Sequence, residues 1–185
     1  IFPRKASHQA LTTRWGKAID PQHILEEYPR PQMIRDQYIN LNGEWNYTVL
    51  SKKNTITKEG TLLVPFSPEA PLSGAGFQLK PREKMLCERL LSVKCLPSDG
   101  SRCILHFGAV DQYPKVLVNG KVVVSHIGGY LPFSADITDA LQEGCNTLTV
   151  HIEDRSDTSY HSVGKQKLKR DGMFYTAQSG IWQTV

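Results

Sequence analysis

No apolar run in this 185-residue chain approaches the roughly 18–20 residues a helix needs to cross a bilayer. The opening stretch, IFPRKASHQALTTRWG, has no apolar core and no small-residue cleavage site, so no secretory leader is read there. The chain begins at Ile1 rather than Met, which leaves its natural start open. Cysteine is scarce. Cys87, Cys95, Cys103 and Cys145 form no C-x-x-C pair, which argues against a disulfide framework and against a zinc site. The expectation is four free thiols, buried or half-buried, no metal, and a reducing, cytoplasmic location. A strong excess of one charge is missing too. The formal net charge of +4 is mild for this length, and the nearest thing to a basic patch, KQKLKR at 165–170, reads as a solvated loop. Neither nucleic acid nor membrane is therefore expected as a partner.

Catalytic signatures are also lacking. There is no G-x-S-x-G elbow, no H-E-x-x-H, and no glycine-rich phosphate loop between a strand and a helix. The six histidines, His8, His23, His106, His126, His151 and His161, are scattered along the chain. They read as surface or packed side chains rather than as bases or ligands, and no cofactor is expected. No helical period extends beyond about ten residues.

What is present is alternation. In NTLTVHIE, Leu148, Val150 and Ile152 face one way, and Thr147, Thr149, His151 and Glu153 face the other, as in a half-buried strand. RCILHF places Cys103, Leu105 and Phe107 on one face. KVLVNGKVVV holds Asn119-Gly120 between two β-branched runs, the pair a two-residue type I′ hairpin requires because both turn residues take positive φ. GEWNYTVL (43–50), GTLLVPF (60–66), EKMLCERLLSV (83–93) and GIWQTV (180–185) read as further strands. Residues 21–28 predict two helical turns, with Asp20 as N-cap and Pro21 first, before YPRP forces extended chain. DITDALQEG predicts one short turn closed by Gly144. The sum is about eight short strands: an all-β jelly-roll β-sandwich over 38–185, preceded by an irregular arm, 1–37, that packs along it.

Two features bear on binding. EDRSD, at 153–157, reads as a turn that uses Asp and Ser for Asx-type bonds, with contacts to sugar hydroxyls as the alternative. Trp45 and Trp182 follow strand patterns and are placed in the core. Tyr160, Phe174 and Tyr175 lie in or beside the stretch 154–179, which has no clear period, and long connections of that kind are usually either functional or disordered.

Several stretches, taken in order, resemble the N-terminal sugar-binding domain of family 2 glycoside hydrolases, the β-galactosidase, β-glucuronidase and β-mannosidase family. They are YPRPQMIRDQYINLNGEWNY, LLVPFSPEAPLSG, LHFGAVDQYPKVLVNGKVV, GGYLPFSADITDAL, NTLTVHIEDRSD and SGIWQTV. The resemblance implies a galactose-binding-domain-like jelly roll whose last strand opens at SGIW. It implies an immunoglobulin-like sandwich and a (β/α)8 barrel downstream, so that Val185 reads as a truncation. The barrel would carry the two glutamates of a retaining mechanism, about 5–5.5 Å apart. No part of this sequence matches it, so no catalytic residue is assigned, and the chain alone is expected to be inactive. The implied partners are a β-glycoside in the full-length enzyme and the downstream domains themselves.

Family members carry an acidic sugar-contact residue six positions before the glycine of the S/A-G-I motif. Here that position is Phe174, and Asp171 stands three residues earlier. Either the loop is longer and Asp171 takes the role, or the role is lost. Asp171, Phe174 and Tyr175 are the candidate substrate-binding residues. A second departure is Leu86-Cys87, where relatives often carry an aromatic pair. The alternative reading is a self-sufficient carbohydrate-binding module without hydrolase activity.

Overall fold

The computed structural model describes residues 11–27, 35, 37–98 and 100–185. Its main layer is a six-stranded antiparallel sheet built from β1 (Gly43–Leu50), β2 (Ile56–Val64), β3 (Lys84–Val93), β6 (Tyr113–Val118), β7 (Lys121–Ser125) and β9 (Gly144–Glu153), in the order β2-β1-β3-β9-β6-β7. Alternation decides which face is buried. Trp45, Tyr47 and Val49 of β1, Met85 and Cys87 of β3, and Leu148, Val150 and Ile152 of β9 all point into one core. The opposite layer is broken into short pairs: β4 (Ile104–Phe107) with β8 (Phe133–Asp136), and β5 (Val110–Asp111) with β12 (Gly180–Ile181). It supplies Leu105, Phe107, Val110, Ala135, Ile137 and Ile181 to the same core. Two antiparallel layers around one apolar centre make a β-sandwich of jelly-roll type. A final two-residue pair, β10 (Gln166–Lys167) and β11 (Tyr175–Thr176), is parallel.

The Asn119-Gly120 hairpin forms as expected. Val118 pairs with Lys121, and the turn residues have φ of 51° and 79°. Asn119 does more than tolerate that conformation. Its Nδ2 donates to Ala140 O and Asn146 Oδ1, and its Oδ1 accepts from Thr147 N at 2.9 Å. Asn119→Ala therefore loses three bonds and keeps an unfavourable backbone. We expect it to cost about 2 kcal/mol in urea unfolding, and Asn119→Asp, which turns a carboxylate oxygen toward Ala140 O and Asn146 Oδ1, to be destabilising as well.

Several expectations are corrected. Residues 21–27 form turns, not a helix: Asp20 Oδ1 accepts from Gln22 N, and Leu25 has φ of 46°, which no right-handed helix admits. Tyr28 and Pro29–Pro31 lie outside the described residues. The one α-helix among the described residues is α1 (Arg14–Lys17), whose amides are capped by Thr13 Oγ1. Gly144 does not close a turn; it opens β9, after a 3-10 turn at Thr138–Ala140. The last strand is only two residues long. Of the four free thiols, Cys87 is buried and Cys103 half-buried, but Cys95 and Cys145 are exposed. Cys145 shares the outward parity of Thr147 and Thr149, opposite the buried Asn146, and Cys95 lies beyond the end of β3.

From the arm, Ile24 is buried, and its carbonyl accepts from Asn42 Nδ2 at 3.3 Å. No helix among the described residues is long and apolar enough to cross a membrane.

Candidate functional site

One end of the sandwich gathers β5, the turn 126–131, the stretch 154–179 and β12. The stretch 154–179 is folded by its own bonds. Tyr175 N donates to Lys165 O, which closes the excursion 165–175, and β10 then lies beside β11. Gln166 fastens it to the rest of the domain: its Oε1 accepts from Gln178 N at 2.5 Å, and its Nε2 donates to Tyr130 OH at 3.1 Å. Tyr130 is further oriented by the edge of Trp182, whose Nε1 donates to Gly129 O at 2.8 Å. Trp182 is thus half-buried at this end and not a core residue as its strand pattern suggested. With the strand ending at Ile181, in/out alternation no longer governs its side chain.

Beneath the loop lie three carboxylates. Glu69, in the turn after β2, holds the entry to β12: Oε2 accepts from Ser179 N at 3.0 Å, and Oε1 accepts from Ser179 Oγ at 2.8 Å and from Leu79 N at 3.1 Å. Burial raises its pKa against these bonds. Asp111 pairs across the ladder with Gly180 and packs so closely on Gly129 that a Cβ there would collide with its carboxylate. Its pKa is pushed up to about 7, first by burial and then by the charges of Asp154 and Glu69. Asp154, only 3% exposed, is raised to about 6 by burial, although its carboxylate accepts from Ser156 N at 2.5 Å. EDRSD is thus the Asx-type turn expected, but its first Asp is buried. No cation is among the neighbours that shift these three groups.

The structure brings Asp171, Phe174 and Tyr175 together on the exposed tip of the excursion. Asp171 Oδ1 accepts from Gly172 N at 2.7 Å, and Phe174 N donates to Asp171 O, which makes a tight turn. Phe174 lies 5.2 Å from Lys167 Nζ, and Tyr175 is 65% exposed. At the base of the excursion, where Gln166 meets Tyr130, a half-open cleft of about 250 Å³ is lined by Ile127, Gly129, Tyr130, Leu131 and His161. Sequence reasoning missed Glu69, Asp111 and Gln166. Only the placing of GAVD directly after the alternation of RCILHF hinted that Asp111 continues a buried layer.

Residues 86–185, just over half of the chain, match the family described as glycosyl hydrolases family 2, sugar binding domain. The chain belongs to that family. It is similar to the β-glucuronidase of Felis catus, with 39% identity over 82 residues, 35% of this chain and 13% of the relative. Its fold is shared with the Bifidobacterium dentium β-glucuronidase complexed with coumarin-3-O-glucuronide, at TM-score 0.57 and 22% identity, over 82% of this chain and 30% of that one. It is shared as well with an Eisenbergiella tayi β-galacturonidase bound to galacturonate, at TM-score 0.55 and 23% identity, over 82% and 25%. The chain spans about an eighth of the length of the feline relative and under a third of these two solved chains.

Proposed function

We propose that this chain is the non-catalytic first domain of a retaining β-glycosidase, and that it helps to complete the active site of a longer protein. The observation that supports this most directly is the family match together with an exposed acidic and aromatic tip at one end of the sandwich. Residues 38–185 would be the sugar-binding domain and 1–37 an arm laid along it. Asp171 would accept hydrogen bonds from sugar hydroxyls. Phe174 and Tyr175 would offer ring faces to the apolar side of a pyranose. The two carboxyls of the reaction would come from a downstream barrel.

The names of the relatives make a β-glucuronide the first substrate to try. The test is to express the native reading frame past Val185 and assay aryl β-glucuronide and β-galactoside hydrolysis. Several hundred further residues and turnover of one of these substrates are expected, with Asp171→Ala raising KM. A frame that stops within a few codons of Val185 would sink the enzyme reading, and saturable sugar binding by this chain alone would then favour a self-sufficient module.

A further inference from the structure

The excursion 163–176 carries four cations, Lys165, Lys167, Lys169 and Arg170, and one carboxylate, Asp171. Most of the chain's formal charge of +4 is thus concentrated in one short segment. That segment is held in shape. Gln166 is turned to Gln178 and Tyr130, while Lys165 beside it is exposed. Lys167 is engaged, 3.6 Å from Asp157 and 5.2 Å from the Phe174 ring. Arg170 Nη1 donates to Thr176 Oγ1 at 3.1 Å, which leaves the rest of its guanidinium free to act. Lys165 and Lys169 are exposed and have no ion-pair partner among the described residues.

We propose that this excursion binds an anionic glycan, a chain of uronic acid units that runs on along the excursion from the site its tip helps to complete. Lys165, Lys169 and Arg170 would take carboxylates, and Phe174 and Tyr175 the sugar ring faces. The proposal rests on the sugar-binding reading above and adds the ligand class. Charge alone would suit any polyanion, but two features favour sugar over nucleic acid. The tip carries Asp171, whose carboxylate can accept hydrogen bonds from the ring hydroxyls that uronic acid units carry and that polyphosphate and the DNA backbone lack. The exposed cations Lys165, Lys169 and Arg170 are also confined to one short segment instead of spreading over a broad basic face.

The test is affinity electrophoresis of this chain through gels holding polygalacturonate, neutral galactan, polyphosphate or single-stranded DNA. Retardation by polygalacturonate alone is expected. K165E/K169E should weaken it about tenfold or more, and Tyr175→Ala several-fold, with melting temperatures unchanged. K165Q/K169Q serves if the double Glu variant does not fold. Equal retardation by polyphosphate or DNA, or indifference to Tyr175→Ala, would reduce the patch to plain electrostatics and overturn the proposal, as would no retardation. Hydrolysis by the longer protein is read separately. Turnover there without retardation here would defeat only this inference.

Discussion

Urea unfolding of this chain is expected to give a lower midpoint at pH 8 than at pH 5. The cause is the buried acid cluster. In the unfolded chain Asp111 and Asp154 titrate near the ordinary value of 3.8; in the fold they are pushed up to about 7 and about 6. A carboxyl whose folded pKa is raised is protonated more readily in the fold, so unfolding releases a proton between the two values. Stability is therefore lost as pH rises from about 4 to about 7, and changes little above that. At about 1.4 kcal/mol per unit, Asp111 alone accounts for a loss of about 4 kcal/mol across that window. Asp111→Asn should flatten the slope, match the wild type only below about pH 4, and exceed it modestly at pH 5 and most at pH 8. A wild-type midpoint that holds or rises from pH 5 to pH 8 would refute the account.

Glu69→Ala is expected to loosen the entry to β12 and to destabilise the domain by about 3 kcal/mol. The substitution leaves Ser179 N, Ser179 Oγ and Leu79 N without their acceptor, and a buried donor left unpaired costs about 1–3 kcal/mol. Part of this is offset at neutral pH, because removing the Glu69 charge relieves Asp111 and Asp154. Glu69→Gln keeps one acceptor oxygen and should fall between the Ala variant and the wild type. Hydrogen exchange at the Ser179 amide separates these cases, with the fastest exchange in the Ala variant. If the Ala variant unfolds at the wild-type midpoint and Ser179 stays protected, the Glu69 contacts carry no energy.

Much of the main sheet was legible from the sequence. β1 runs from Gly43 to Leu50, as GEWNYTVL predicted, and β9 buries the three residues that alternation chose. Asn119-Gly120 announced its own turn because few residue pairs accept positive φ twice. The opposite layer was harder to read. β8 is four residues long, too short for a period to show, and it went unrecognised as a strand. Alternation also misplaced Trp182, because a two-residue strand imposes no parity on the residue after it. The candidate site was legible only in part. Asp171, Phe174 and Tyr175 drew notice because they stand in a long stretch without a pattern. The acids did not, since Asp and Glu beside Ser and Pro look like ordinary turn chemistry, and only the fold reveals that Asp111 and Asp154 are buried, with Glu69 half-buried near them.

The position of β9 in the sheet sets an order of events during synthesis. β1, β2 and β3 can assemble as a three-stranded sheet with β1 in the middle, and β6 with β7 as a hairpin, because their partners are close in sequence. β9 lies between β3 and β6 and is the strand that bonds to both. Until residues 144–153 have left the ribosome, the nascent chain holds two half-sheets, each with a bare edge and an uncovered apolar face. Those edges are templates for pairing with other chains. Late emergence of β9 makes it the strand that zips the main sheet shut, and a ribosomal pause while residues 144–153 are still inside the exit tunnel would lengthen the interval in which aggregation competes with folding.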